Sequence, residues 1–180
     1  MKSKIFTQDE IDKAKEIRSN EDALPGKQRF DSDNRWQGKL GEWAFAELYP
    51  QFAQNTQNFK ALKFDFITPN SEQLDVKTTA GHYEWSDRFS LTIDYDQYNE
   101  GNYQIVVFCY FYSPKREITI IGWNYTKTLD SDPSKTFYGH GEMVLTERGA
   151  PRFKVKNQNG IFDWKSSVLR STEELEKLYP

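Results

Sequence analysis

Residues 61 to 79 decide the fold of this chain, and they read ALKFDFITPNSEQLDVKTT. Apolar and polar side chains alternate over residues 61 to 67 and again over residues 73 to 79, which predicts two β-strands. Residues 68 to 71 between them are Thr-Pro-Asn-Ser, a composition typical of a tight turn. The two strands are therefore expected to form a hairpin.

Strand alternation also assigns the charged side chains of this hairpin to one side. Successive side chains of a strand point to opposite faces, so residues two apart share a face. If the apolar faces of the two strands align, then Asp65, Asp75 and Lys77 converge on the other side of the sheet. The apolar faces consist of Leu62, Phe64, Phe66, Leu74 and Val76.

A helix is predicted upstream of the hairpin, from about Arg35 to Tyr49. Its apolar residues recur three and four positions apart on two sides, so most of the helix is expected to be buried. Glu42 shares a side with Phe45, and a carboxylate in apolar surroundings needs a partner or a chemical role. We expect the helix to pack over the charged side of the hairpin, where Glu42 is a third carboxylate. Glu47 is the competing acid, but it lies on the side expected to pack against other elements.

The rest of the chain predicts further strands and two capped helices. Thr7 and Ser171 are each followed three residues later by Glu, the capping-box pattern that begins a helix. The first of these helices is expected to end near Arg18, before a loop over residues 19 to 35. A polar loop is predicted over residues 126 to 141. Further strands are expected at residues 88–93, 103–112, 117–125 and 142–157.

Two carboxylates and a lysine on one side of a sheet suit a hard divalent cation. Mg²⁺ is bound in proteins by one or two carboxylates together with water and substrate phosphate. A lysine beside the ion can orient or help to deprotonate the attacking water, and it neutralises charge that develops on a phosphate. The chemistry indicated by Asp65, Asp75 and Lys77 is therefore hydrolysis of a phosphodiester.

This arrangement resembles the PD-(D/E)XK nuclease superfamily, which includes restriction endonucleases, recombination exonucleases and junction resolvases. Asp65 is followed ten residues later by Asp75-Val76-Lys77, and Gly41-Glu42 lies on the preceding helix. The order of helix, two motif strands, helix and strand follows the superfamily from about residue 36 to residue 112. Phe64 stands where the proline that names the motif would be.

The resemblance implies a single α/β domain over residues 1 to 180, of the restriction-endonuclease-like type. Its mixed central β-sheet is expected to be flanked by helices on both faces. Residues 1 to 35 would form an N-terminal helix and loop, residues 36 to 112 the core motif region, and residues 113 to 180 the C-terminal strands and helix. The implied activity is a Mg²⁺-dependent deoxyribonuclease, with Mn²⁺ as an alternative ion, in the cytoplasm of a prokaryote or a phage-infected host cell.

The resemblance also assigns roles to individual residues. Asp65 and Asp75 would be metal ligands, and the carbonyl oxygen of Val76 would be another. Lys77 would act on the nucleophilic water, and Glu42 would bind the metal directly or through water. Gln97 or Tyr98, on the helix expected after the motif strands, would contact the nucleic acid.

Charge and composition limit the other possibilities. The net charge of −3 argues against a general electrostatic attraction for nucleic acid, but residues 145 to 170 carry six basic and two acidic residues. Arg152 and Lys154 in this stretch are candidates for contacts with DNA phosphates. No apolar run approaches the ~18 residues of a membrane span. The sequence has only two histidines and only one cysteine, Cys109, which exclude histidine-rich metal sites and an internal disulfide.

Other functions stay open at the level of sequence. One alternative is a non-catalytic nucleic-acid-binding or protein-interaction module on the same fold. Another is an assembly protein that binds a partner through aromatic residues, which make up 16% of the chain. RNA stays open as a substrate in place of DNA, and a homodimer is common among relatives that cut both strands.

Overall fold

The computed structural model describes residues 1–22, 36–54, 64–94, 98–99, 101, 103–145 and 151–180. These residues form a mixed α/β structure around a curled, six-stranded central sheet. The strands of this sheet are β1 (Ser3–Ile5), β2 (Ala53–Gln54), β3 (Phe66–Ile67), β4 (Gln73–Gly81), β6 (Ile105–Tyr112) and β7 (Glu117–Tyr125). A second sheet contains β5 (Ser90–Asp94), β8 (Thr136–Leu145) and β9 (Pro151–Lys165). The helices include α1 (Gln8–Asp22), α2 (Trp36–Leu48), α3 (Thr126–Ser131) and α4 (Thr172–Leu178).

The central sheet has the strand order β1-β7-β6-β4-β3-β2. Strand β6 is parallel to β4 and antiparallel to β7, and all but its last residue are buried. Its sequence, IVVFCYFY, is a continuous apolar run of the kind that fits a strand covered on both faces. The strands predicted over residues 103 to 112 and 117 to 125 are confirmed as β6 and β7.

The two faces of the central sheet have different covers. On the first face, α1, α2 and α4 pack on a core that includes Leu74, Val76 and Val107. On the second face, residues of β5, β9 and α3 pack against Val106 and Phe108. The prediction that helices flank both faces is met only in part, because on the second face a small sheet shares the cover with the short helix α3.

The predicted hairpin is confirmed as β3 and β4. Phe66 pairs with Leu74 and Ile67 with Gln73, and Ser71 turns the chain with a φ of 64°. Strand β3 is only two residues long, however, because the chain bends at Asp65. Phe64 consequently lies in the second core while Phe66 lies in the first, so these residues do not share a face as the alternation predicted. Part of the predicted strand, residues 61 to 63, lies outside the described residues.

The capped helices agree with the sequence. The Thr7 amide donates to Glu10 Oε2 at 2.8 Å, and the Glu10 amide donates back to Thr7 Oγ1 at 3.3 Å. The Ser171 hydroxyl oxygen likewise accepts a hydrogen bond from the amide of Glu174. Helix α1 continues to Asp22, beyond the predicted end near Arg18, and residues 23 to 35 of the predicted loop lie outside the described residues.

The region after β7 differs from its prediction. Residues 126 to 141 are not one polar loop, because they contain α3 and the first half of β8. Trp164 explains this local order, since its side chain is buried and its indole Nε1 donates to the carbonyl of Leu129 at 3.0 Å. The strands predicted at residues 142 to 157 exist, but β8 and β9 extend well beyond those limits. Within the described ranges, no helix is long and apolar enough to cross a membrane.

Helix α2 approaches β4 closely at Gly41. A Cβ atom built at Gly41 would lie 1.9 Å from Thr78 Oγ1 and 3.6 Å from Val76 Cγ1. Only a residue without a side chain allows this approach, which places the following residue, Glu42, beside the sheet. Gly38, one turn earlier in the same helix, has nothing within 4 Å of a built Cβ atom.

The two glycines of α2 therefore predict opposite effects of the same substitution. We expect Gly41→Ala to destabilise the fold by about 1–3 kcal/mol, because the methyl group overpacks against Thr78. We expect Gly38→Ala to stabilise it by up to ~1 kcal/mol through helix propensity. Denaturant unfolding of both variants checks this, and equal effects of the two substitutions would contradict the close approach.

Candidate active site

The candidate site lies where β3 separates from β4. Strand β3 pairs with β4 only at Gln73 and Leu74, and the chain then bends at Asp65. The Asp65 amide still donates to the Leu74 carbonyl at 2.9 Å. Two residues further along β4, the Asp65 carboxylate takes the place of the missing partner strand, because its Oδ2 accepts a hydrogen bond of 2.8 Å from the amide of Val76.

This hydrogen bond also fixes the direction of the Val76 carbonyl. In an extended strand the N–H and C=O groups of one residue point toward the same neighbouring strand. The Val76 amide points toward Asp65, so its carbonyl oxygen faces the same edge of β4. The backbone of Val76 thus presents an oxygen beside the carboxylate, at the position that the sequence resemblance assigned to a metal ligand.

Asp75 and Lys77 lie together on the second face of the sheet. They are neighbours of Val106 and Phe108 in the adjacent strand β6, and both of those residues belong to the second core. Asp75 is 6% exposed, and Lys77 Nζ lies 2.5 Å from its Oδ2 as an ion pair. The same oxygen is buried and accepts no hydrogen bond of good geometry.

Glu42 approaches from the opposite face. Helix α2 packs on the face of Val76 and Thr78, so the expectation that it covers the face of Asp75 and Lys77 is wrong. The cause is the register of β4, which alternates Val76 and Thr78 with the charged residues. Glu42 nevertheless influences Asp65, because Asp65 lies at the edge of the sheet between the two faces.

The charges of two other acids act on Asp65. Part of the residue reaches the surface, but its carboxyl group is enclosed by protein. Burial raises the pKa of Asp65 well above its ordinary value, and the negative charges of Asp75 and Glu42 raise it further. The hydrogen bond from the Val76 amide and the charge of Lys77 act in the opposite direction.

Two residues that the sequence analysis did not select complete these surroundings. Lys39 Nζ lies 2.7 Å from Glu42 Oε2, and only 13% of the Lys39 side chain is exposed. The three-residue spacing of this pair on one helix could have indicated it. The Tyr103 ring centroid lies 5.6 Å from Lys77 Nζ. No local pattern marks Tyr103, since the parallel pairing of β4 and β6 brings it there.

The acids fit a cation with few protein ligands. Among the residues that the structure describes, no three acidic, histidine or cysteine side chains are grouped so that they could hold one ion. Asp65 and Asp75 alone match the one or two carboxylates by which Mg²⁺ is commonly bound. The Asp75 Oδ2 atom is buried and lacks a well-aligned hydrogen-bond donor, and the Lys77 ammonium beside it offsets its charge as an ion pair.

The other predicted contacts are placed only in part. Gln97 lies outside the described residues, whereas Tyr98 is buried in the second core. Arg152 and Lys154 are paired in register with Val144 and Glu142 on the β8–β9 ribbon.

The structure also places three other residues with reactive side chains. Cys109 is a buried core residue, and His82 is exposed just after β4. Glu47, the competing acid, forms an ion pair with Lys4.

Comparisons with known proteins do not add a relative. No protein-family model matches the chain, and no curated protein is significantly similar to it. The residues of the site and their geometry are therefore the basis for any function proposed for this chain.

The raised pKa of Asp65 predicts how stability depends on pH. Because the folded protein binds this proton more tightly than the unfolded chain, Asp65 lowers stability as the pH rises from its unfolded pKa through its folded pKa. Asp65→Asn keeps an acceptor for the Val76 amide but carries no charge. We expect this variant to melt at a higher temperature than the wild type at about pH 7.5 without metal, and at a similar temperature near about pH 3.5.

Thermal unfolding at several pH values in EDTA measures this difference. The exposed Asp87 provides the matched control, because its replacement by Asn leaves the acids of the site intact. A melting temperature for Asp65→Asn that stays below the wild-type value across the whole range would contradict the raised pKa of Asp65.

Proposed function

We propose that this protein is a Mg²⁺-dependent nuclease of the PD-(D/E)XK type, which hydrolyses DNA phosphodiester bonds. The observation that carries the proposal is the hydrogen bond from the Val76 amide to Asp65. It sets Asp65 beside the strand that bears the Asp75–Lys77 ion pair, with Glu42 near enough to raise the pKa of Asp65.

The order of elements supports the restriction-endonuclease-like fold within this proposal. Helix α2 comes first, the antiparallel pair of β3 and β4 follows, and β6 then returns parallel to β4. A parallel return requires a crossover connection, which here includes β5 and residues of the second core. The covering of the second face by a small sheet would be an addition to the common core.

Asp65, Asp75 and the Val76 carbonyl would hold the ion, and Glu42 would reach it through water, because its carboxylate already pairs with Lys39. When bound, Mg²⁺ would polarise the phosphate and make the attacking water more acidic. The requirement for a deprotonated Asp65 links ion binding to the loss of a proton that burial and neighbouring charge otherwise retain.

The residues of the chain would divide the remaining work. Lys77 now contacts the carboxylate that the ion requires, so it must give up part of this contact when the ion binds. Its ammonium group would then lie beside the ion, where it orients the water and offsets charge that develops on the phosphate. Tyr98, being buried, is not proposed to contact DNA, and Gln97 keeps that proposed role.

The β8–β9 ribbon is the proposed contact for the DNA backbone. Strand β5 pairs with β9 only over residues 161 to 165. Strands β8 and β9 therefore continue as a two-stranded ribbon beyond the part of the small sheet that β5 completes. Arg152 and Lys154 lie on this continuation, in the most basic stretch of the sequence. We propose DNA as the substrate, with RNA as the alternative. The enzyme would act either as a single chain or as a homodimer. The proposed setting is the cytoplasm of a prokaryote or of a phage-infected host cell.

One observation favours a second candidate function, a nucleic-acid-binding module without catalysis. Lys77 and Lys39 form ion pairs with Asp75 and Glu42, so two of the three acids are neutralised without any cation. A binding module would keep these pairs permanently and would bind DNA equally well in EDTA. A nuclease would exchange at least the Lys77 pair for the ion.

The nuclease proposal assigns different roles to Asp75 and Lys77, so substitutions at these two residues test it. We expect Lys77→Ala to bind DNA in Ca²⁺ as the wild type does, while its cleavage in Mg²⁺ falls by at least ~10²-fold, because a group that acts on water is lost. We expect Asp75→Asn to lose both cation binding and cleavage. Plasmid and branched DNA, incubated in Mg²⁺, Mn²⁺ or EDTA, provide the cleavage assay, and calorimetry measures cation binding.

Lys13→Ala, a change at an exposed lysine of α1, is the matched control and should cleave at the wild-type rate. Equal cleavage by the wild type, Lys77→Ala and Asp75→Asn would show that the motif is only an ion-paired hairpin. Wild-type DNA binding that is unchanged by cations, without cleavage, would favour the binding module.

Arg152→Ala and Lys154→Ala test the ribbon. Each substitution would remove one phosphate contact, so we expect weaker DNA binding. The slope of the logarithm of the binding constant against the logarithm of the salt concentration should fall by about one for each residue. Binding assays in Ca²⁺ at increasing salt measure both quantities. Affinities that match the wild type at every salt concentration would exclude the ribbon as the DNA contact.

A further inference from the structure

Two of the groups near Lys77 in the described part of the chain can hold its ammonium group. One is the Asp75 carboxylate, whose Oδ2 lies 2.5 Å from Nζ. The other is the aromatic ring of Tyr103, whose centroid lies 5.6 Å from Nζ. That distance is within the range at which a cation is attracted by the face of an aromatic ring. The ammonium group of Lys77 is therefore close to both an anion and a π-system, and both of these groups are largely buried.

Tyr103 is held in place by its backbone and by the second core. Its carbonyl oxygen accepts a hydrogen bond of 2.9 Å from Thr126 Oγ1, at the start of α3. The next residue, Gln104, donates its amide to the Gln73 carbonyl at 2.9 Å, at the start of the strand that carries Lys77. Tyr103 itself is 6% exposed. The ring is consequently a fixed feature of the site, whereas the lysine side chain has several rotatable bonds.

A cation bound to Asp75 would weaken the attraction of Lys77 to that carboxylate but not its attraction to the Tyr103 ring. An ion on Asp75 competes with Lys77 for the carboxylate oxygen, and two positive charges near one oxygen repel each other. With no other attraction, a long lysine side chain that loses its anion gains rotamer freedom by leaving the site. The Tyr103 ring attracts the ammonium without offering a ligand atom to the ion, so it does not compete for the metal.

We propose that Tyr103 is the positioning residue for Lys77, and that its ring keeps the ammonium beside Asp75 when a cation engages that carboxylate. This inference rests on the proposed nuclease function. The ring, not the hydroxyl group, carries the role, because the attraction comes from the aromatic face. Tyr103→Phe should therefore preserve the function of the site, and Tyr103→Leu should remove it.

A spectroscopic signature separates this role from a general effect on folding. Reductive methylation with ¹³C-formaldehyde labels every lysine and keeps its positive charge, and the Lys77 signal is assigned by its absence in Lys77→Arg. Methyl groups near an aromatic ring face are shifted by the ring current. We expect such a shift for Lys77 in the wild type and in Tyr103→Phe, both in EDTA and in Ca²⁺, and its loss in Tyr103→Leu.

The chain contains a matched internal control. Lys115 Nζ also lies 5.6 Å from an aromatic centroid, that of Tyr112, in an exposed position away from the site. The Lys115 signal should not move in any Tyr103 variant. Tyr103→Met, which has a flexible side chain without a ring, replaces Tyr103→Leu if the leucine variant does not fold.

Kinetics provide the second readout. In saturating Mg²⁺ we expect the kcat of Tyr103→Leu to fall by about 10-fold or more, with little change in KM for DNA, and Tyr103→Phe to restore it. Equal kcat losses in the leucine and phenylalanine variants, or a Lys77 signal that does not move in Tyr103→Leu, would overturn the role of the ring. The ring-current shift together with a wild type that never cleaves DNA would support the contact and reject the nuclease.

Discussion

The hydrogen bond from the Val76 amide to the Asp65 carboxylate is the contact on which the site depends. Where a strand loses its neighbour, its buried amide groups need another acceptor. Here a side chain supplies that acceptor, because the chain bends one residue before β3 begins. A carboxylate is thereby placed at the edge of the sheet, within reach of groups from both faces, and the Val76 carbonyl is left facing the same edge.

Charge is concentrated at this edge and is offset locally. Asp75 comes from one face with Lys77, and Glu42 comes from the other face with Lys39. Asp65 has the backbone amide of Val76 as its hydrogen-bond donor, and burial together with the two neighbouring acids raises its pKa. The close approach of α2 at Gly41 brings the Lys39–Glu42 pair near Asp65. The packing of this helix therefore affects the electrostatics of the site, and it depends on the absence of a side chain at Gly41.

The local patterns of the sequence predicted much of this. Alternation and turn composition identified the β3–β4 hairpin, and the spacing of Asp75 and Lys77 placed both on one face, where they form an ion pair. The orientation of α2 and the bend at Asp65 depend on tertiary packing, which alternation alone does not contain. The parallel pairing of two distant segments brings Tyr103 to the site, and packing against the buried Trp164 stabilises α3. Neither feature can be recognised from a local sequence pattern.

The parallel pairing of β4 with β6 has a consequence for the order of folding. The hairpin that holds Asp65 and Asp75 closes through a short turn, which costs little chain entropy, whereas Tyr103 reaches Lys77 only after the whole crossover between β4 and β6 has been closed. A chain emerging from the ribosome would therefore assemble its acid pair early and its aromatic support late. The partly folded protein would hold the carboxylates together before the complete site exists.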